Sequence, residues 1–216
     1  GLPSGEQRAA VLLCHGYTGV KDLYLPDNAK TLNDAGYVVM TFDYKGWGES
    51  EGTRSRLAPY SRVADVQAAM TYLGMQPEAD ADRIGLYGTS YGGATVSWTG
   101  AVDQRAKCIV SVVGIGHGAR WMSRVRRVDE WFDLQERSKE DREKRASTGE
   151  SEYVDRSEIL LPDRQSAELA AAARRNNPAA NRETNHPVLH AELLALPDPR
   201  RHSRRAAQRG QAARQF

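Results

Sequence analysis

Asp82-Arg83-Ile84-Gly85-Leu86-Tyr87-Gly88-Thr89-Ser90-Tyr91-Gly92-Gly93 is the stretch that decides how this chain is read. Ile84 to Tyr87 is a short apolar run with the look of a buried strand. It ends in G-x-S-x-G, formed by Gly88, Ser90 and Gly92, and a small-residue helical stretch follows from Ala94 to Ala101. Strand, tight turn and helix in that order are the context a nucleophile elbow requires. Such a turn holds the serine in a strained backbone conformation. The two glycines lack a Cβ, so strand and helix can approach closely. The Ser90 hydroxyl then stands at the carboxyl end of the sheet, beside a helix N-terminus that offers amide N–H groups to a developing oxyanion. The alternative is a Gly-rich strand–helix turn with an idle serine.

Upstream, Ala9 to Cys14 is a continuous apolar run, expected as a buried parallel strand, and it leads into His15-Gly16-Tyr17-Thr18-Gly19. Leu25 to Ala35 reads as a helix stopped by Gly36. Tyr37 to Phe42 reads as a second buried strand running into Asp43-Tyr44-Lys45-Gly46-Trp47-Gly48-Glu49-Ser50. Pro59 to Leu73 is an amphipathic helix with Val63, Val66, Ala69/Met70 and Leu73 on one face. Ala106 to Val113 is expected as a fourth buried strand. Strand and helix alternate at the spacing of right-handed βαβ units, which predicts a parallel sheet with helices on both faces.

Beyond this core the pattern changes. Trp121, Val125, Val128, Trp131/Phe132 and Gln135 follow a helical period; Glu136 to Arg145 is nearly all charged, a solvated helix. Ser147 to Asp155 reads as a loop and Pro162 to Arg175 as an Ala-rich helix with proline in its first turn. Residues 1–118 are thus expected as the core, 119–184 as a helical cap or insertion, and 185–216 as an irregular basic tail. The tail is too poor in apolar surface to order itself.

The chain has 216 residues, enough to bury roughly 70% of its unfolded surface without staples. Cys14 and Cys108 each sit in an apolar run and are expected as buried thiols. No window is apolar enough to span a membrane and no signal-peptide pattern is present, so a cytoplasmic protein with no membrane partner is expected. The net charge of +2 hides an asymmetry. Residues 199–216 carry six arginines and no acid, leaving 24 basic against 28 acidic side chains elsewhere. The tail has no motif and no interleaved aromatics, so no nucleic-acid partner is expected. No phosphate loop, metal-ligand cluster or dinucleotide fingerprint is present, and no cofactor or metal is expected.

The three motifs after three successive strands, His15 to Gly19, Asp43 to Ser50 and Gly88 to Gly93, together resemble the α/β-hydrolase superfamily. The resemblance is to its X-Pro dipeptidyl-peptidase-like, serine-aminopeptidase-like and dienelactone-hydrolase-like serine hydrolases. It covers residues 8–118 with specific motifs and the helical section more weakly. It implies an α/β three-layer sandwich with a mostly parallel sheet and a helical cap. It implies Ser90 as nucleophile and the backbone N–H groups of Tyr17 and Tyr91 as the oxyanion hole. His15 and the Asp43–Ser50 loop would be structural, and Tyr17, Tyr44, Trp47 and Tyr91 are candidates for lining an acyl pocket. The substrate would be a small carboxylic ester, thioester or peptide.

The resemblance also demands an Asp and then a His downstream of Ser90, each after its own parallel strand. Neither is legible. His117 comes directly after the fourth strand, and His186, His190 and His202 sit in the irregular tail. Two expectations stand side by side. One is a piece of a longer hydrolase, truncated at both ends and with an incomplete C-terminal part, whose site lacks the triad Asp and His and whose Ala106–Val113 strand, without the two later strands, becomes an exposed apolar edge. The other is a minimal variant that recruits a tail histidine or a partner chain.

Overall fold

The computed structural model describes residues 6–161, Glu168 and the pair Val188–Leu189. Four strands form one parallel sheet: β1 (Arg8–Cys14), β2 (Val38–Thr41), β3 (Ala79–Thr89) and β4 (Ala106–Val112). Their spatial order is β2-β1-β3-β4. The register pairs Leu12 with Met40 on one side and with Leu86 on the other, and Leu86 with Ile109. Three helices connect the strands: α1 (Leu25–Asp34), α2 (Pro59–Gly74) and α3 (Tyr91–Val102). Helix α1 packs on β1 and β2, whereas α2 packs on β1, β3 and α3. Right-handed crossovers account for this, placing α1 on one face and α2 with α3 on the other.

Local chemistry explains the elements. Proline at the start of α2 gives up no hydrogen bond, because the first helical N–H groups have no partner in any case. The stripe Val63, Val66, Ala69, Met70 and Leu73 is buried as expected. Helix α1 ends at Gly36, which takes φ 97°, a conformation that a side chain would strain. Leu12, Ile84, Leu86, Val96 and Met70 are closed off from solvent in the centre of the core.

The strand order also sets the position of any site. From β1 the chain moves outward to β2; from β3 it moves the opposite way, to β4. The carboxyl ends of β1 and β3 therefore flank a topological switch point, where diverging connections leave a crevice. Both His15–Gly19 and Ser90 sit there.

The Ala106–Val113 run is an edge strand among the described residues, the alternative expected for a chain without the two later strands, and Cys108, expected as buried, is exposed. One face meets α3, where Ile109 Cδ1 lies 2.6 Å from the position of a Cβ on Gly100. On the other face Val110 and Val112 are 43% and 38% exposed. Strand β2, at the opposite edge, is half-buried throughout rather than buried. Composition cannot separate a central strand from an edge strand of the same apolar content.

The helical section is less regular than its period suggests. It breaks into α4 (Gly118–Arg124) and α5 (Val128–Thr148), and Val125, Val128 and Phe132 are exposed. Trp121 and Trp131 pack against the core while Leu134 enters it. Helix α5 ends in Gly149 at φ 78°. The expected loop Ser147–Asp155 contains the end of α5 and a strand β5 (Tyr153–Val154), followed by the short helix α6 (Arg156–Ile159). Strand β5 pairs antiparallel with β6 (Val188–Leu189), so this apolar pair is ordered where an irregular tail was expected. The rest of the tail, and all but Glu168 of the expected 162–175 helix, lie outside the described residues. Among the described residues no helix is long and apolar enough to cross a membrane.

An apolar edge with open backbone groups is a template for pairing with another chain. Val110→Lys is expected to suppress concentration-dependent association of this chain, read by light scattering. It should change unfolding free energy by only about 0.5 kcal/mol, as for other exposed positions.

Candidate active site

The site begins with two backbones forced together. Ser90 has φ 54° and ψ −119°, a conformation seldom tolerated outside glycine. Its N–H donates to the Val112 carbonyl at 2.9 Å, and its own carbonyl accepts from the Ala94 N–H at 3.3 Å. The elbow is thus pinned to β4 on one side and to the first turn of α3 on the other. A Cβ on Gly88 would stand 2.3 Å from the Gly92 carbonyl oxygen, and one on Gly92 would stand 2.2 Å from the carbonyl oxygen of Cys14. Only glycine fits at either position. Helix α3 starts at Tyr91, immediately after the serine, three residues earlier than the small-residue run suggests.

The loop after β1 reaches the serine from the other strand. A Cβ on Gly16 would lie 3.2 Å from Ser90 Cβ and 3.8 Å from Ser90 Oγ. The Tyr17 N–H, next along the chain, makes no hydrogen bond among the described residues. The Tyr91 N–H is the first of α3 and follows directly on the serine. Ser90, Tyr17 and Tyr91 therefore come together, as the motifs anticipate. They line a cavity of about 20 Å³ with Ile115, Trp121, Ile159 and Leu160. That is about enough for one water molecule. A groove of about 660 Å³ adjoins it across Tyr91 and Ile115, running along Trp98, Ala101 and Val102 to His117.

Two of the four aromatic candidates do not line this cavity. Tyr44 and Trp47 are buried in the core, where Trp47 Nε1 donates to the Arg56 carbonyl at 3.1 Å. The Asp43–Ser50 loop that carries them is organised by the Asp43 carboxylate. It accepts from the Lys21 N–H at 2.7 Å, from Lys21 Nζ at 3.0 Å and from the Glu49 N–H at 3.2 Å. Lys21 also pairs with Glu49, and these bonds raise its pKa.

Beneath the loop lies a group the sequence does not announce. Arg62, on the buried face of α2, is 2% exposed. Its Nη2 lies 3.2 Å from His15 Nδ1 and 3.2 Å from the Gly16 carbonyl oxygen. Its guanidinium carbon stands 3.8 Å from the centre of the Tyr44 ring and 5.1 Å from that of Tyr91. His15 Nδ1 lies 3.1 Å from the same Gly16 oxygen, so the imidazole and the guanidinium converge on one carbonyl, and His15 Nε2 has no hydrogen-bond partner. The signal available in sequence was a single cation inside the Val63/Val66 stripe.

The histidines divide clearly. His15 is 1% exposed, and its pKa falls to about 3, first through burial and then through the Arg62 charge. A proton acceptor that weak is no base at neutral pH. His117 caps α4, accepting from the Arg120 N–H through Nδ1 at 3.2 Å, and faces the groove rather than the serine cavity. Ser90 Oγ has no hydrogen-bonded base among the described residues. His186, His190 and His202 lie outside them.

His15 makes folding pH-dependent. Its folded pKa lies below the ordinary 6.5, so the unfolded chain binds the extra proton. The stabilising contribution is full above about 6.5 and is lost as pH falls toward 3. In denaturant titrations, the stability difference between wild type and His15→Gln should fall by roughly 2 kcal/mol from pH 7 to pH 5.

With this geometry in hand, comparisons with known proteins agree on the lineage. The family model described as serine aminopeptidase, S33 matches residues 5–141. An uncharacterised 31.7 kDa protein of the traX-finO intergenic region of Escherichia coli is 41% identical over 118 residues, 54% of this chain and 41% of that protein. The thiohydrolase aneE of Aspergillus aculeatus is 36% identical over 104 residues, 48% of this chain and 33% of its own length. The chain thus spans less than half the length of these curated relatives. Among solved structures, DcsB in complex with its substrate analogue superposes with a TM-score of 0.71 at 21% identity, covering 90% of this chain and 67% of that one. The α/β hydrolase GrgF from Penicillium sp. sh18 gives a TM-score of 0.66 at 20% identity, covering 89% and 65%. At these identities the structures speak for the fold, and the family match carries the rest: the chain belongs to the serine aminopeptidase S33 family of the α/β-hydrolase superfamily.

Proposed function

We propose that this chain carries the nucleophile half of a serine hydrolase that forms an acyl-enzyme on Ser90. The observation that carries this reading is the strained Ser90 backbone held against Gly16, with Tyr17 and Tyr91 lining the same small cavity as the serine. In that arrangement Ser90 Oγ attacks a carbonyl carbon and gives up its proton to a base. The carbonyl oxygen, now an anion, sits between two fixed amides, and the leaving group departs as the carbonyl reforms. Loss of one such donor costs about 10²–10³ in rate. The substrates that fit are carboxylic esters, thioesters or small peptides. Ile115, Trp121, Ile159 and Leu160 wall the serine cavity and favour an apolar acyl group. In this reading 119–184 acts as the cap, and its α6 segment must shift to admit anything larger than water. Relatives named thiohydrolase and acyltransferase perform chemistry of the same acyl-transfer class.

A second reading is favoured by one observation: no histidine among the described residues is hydrogen-bonded to Ser90. A chain with the nucleophile and oxyanion hole alone would bind acyl compounds and turn them over slowly. Loss of the histidine costs roughly 10⁶ in a well-characterised serine protease.

Fluorophosphonate labelling of the full chain separates the two readings. Rapid labelling that disappears in Ser90→Ala is expected if a base is in place, and replacement of His117, His186, His190 and His202 in turn then identifies it. Labelling no faster than in the denatured chain would establish an incomplete site.

A further inference from the structure

Arg62 is a buried cation. Among the described residues it forms no salt bridge, although its charge reaches the half-buried Asp65, and its Nε and Nη1 have no hydrogen-bond partner. Each unpaired buried donor carries a desolvation cost. A desolvated cation over an aromatic face offsets part of it. A leucine or methionine in the same stripe would carry no such cost, so stability alone is a poor reason for an arginine here.

Its contacts supply a better one. We infer that Arg62 is a positioning residue for the oxyanion hole, an assignment that rests on Ser90 being the nucleophile. The Gly16 carbonyl and the Tyr17 N–H belong to one planar trans peptide unit, so they point in opposite directions. Arg62 Nη2 reaches the Gly16 oxygen from inside the protein at 3.2 Å, beside His15 Nδ1 at 3.1 Å and the Gly19 N–H at 3.4 Å. With that oxygen fixed inward, the Tyr17 N–H must face outward, on the side where Gly16 meets Ser90. The same guanidinium lies against the ring of Tyr91, whose amide is the second donor. It is clamped in turn by Tyr44 at 3.8 Å and by the neutral His15. One side chain on α2 thus ties together the loop after β1 and the start of α3. His15, buried and uncharged, completes the mount, its Nδ1 lying 3.2 Å from Arg62 Nη2 and 3.1 Å from the Gly16 oxygen.

The test measures fluorophosphonate labelling against reagent concentration for wild type, Ser90→Ala, Arg62→Met and Arg62→Lys, with thermal melts as the folding control. Misplacing one donor should lower the maximal labelling rate of Arg62→Met by about 10²-fold while the half-saturating concentration stays unchanged. Arg62→Lys, which keeps a charged donor for the Gly16 oxygen but loses the planar stacking, should recover to within about tenfold of wild type. A folded Arg62→Met that labels at the wild-type rate overturns the assignment. If Arg62→Met does not fold, Arg62→Lys decides. A lower maximal rate at unchanged half-saturation supports the role, and an unchanged rate overturns it. Wild type that labels no better than Ser90→Ala removes the nucleophile reading itself, and the positioning role falls with it.

Discussion

Close approach of backbone to backbone at Gly88 and Gly92 is the constraint on which the rest of the structure depends. The first turn of α3 sits so near the end of β1 that a methyl group on Gly92 would overlap the Cys14 carbonyl. That proximity lets the loop after β1 reach a serine that follows β3. It also forces the turn between Gly88 and Gly92 to be tight, and Ser90 takes the positive φ that results. Hydrogen bonds from Ser90 to β4 and into α3 hold the strain in place. Remove the close approach and both the strain and the juxtaposition go with it.

A second layer of design lies underneath. The loops after β1 and β2 bury His15, Thr18, Asp43 and Ser55, and each loop has its own anchor. Asp43 gathers the Lys21 and Glu49 amides around its carboxylate. Arg62 does the same for the other loop through a carbonyl and two aromatic rings. The two devices differ in kind. A carboxylate collects N–H donors, whereas a guanidinium collects oxygens and π-faces. Between them they hold the loops on either side of β1 rigid where the chain would otherwise be free to move.

The elbow was legible because it is local. Strand, G-x-S-x-G and helix occupy consecutive residues, and only glycine tolerates what that turn demands. The parallel order of elements was legible for the same reason, since short βαβ connections leave little topological choice. Arg62 was not legible: within α2 it is one charged residue beside Val63 and Val66, and nothing nearby in sequence says that two loops fold over it. The exposure of Cys108 was not legible in its own run, because an edge strand and a central strand share a composition. Tyr44 and Trp47 were read as pocket residues because aromatics in a motif loop serve cores and pockets alike.

The amino-acid sequence by itself determined the local conformations: where strands end, where glycine is obligatory, and that a serine stands on a strained turn. These depend on steric rules acting over a few residues. Only the tertiary structure decided which strand is an edge, which histidine is buried and neutral, and that an arginine on α2 meets a carbonyl 46 residues away in the chain. Such facts depend on how distant segments pack, and packing is set by the whole fold at once.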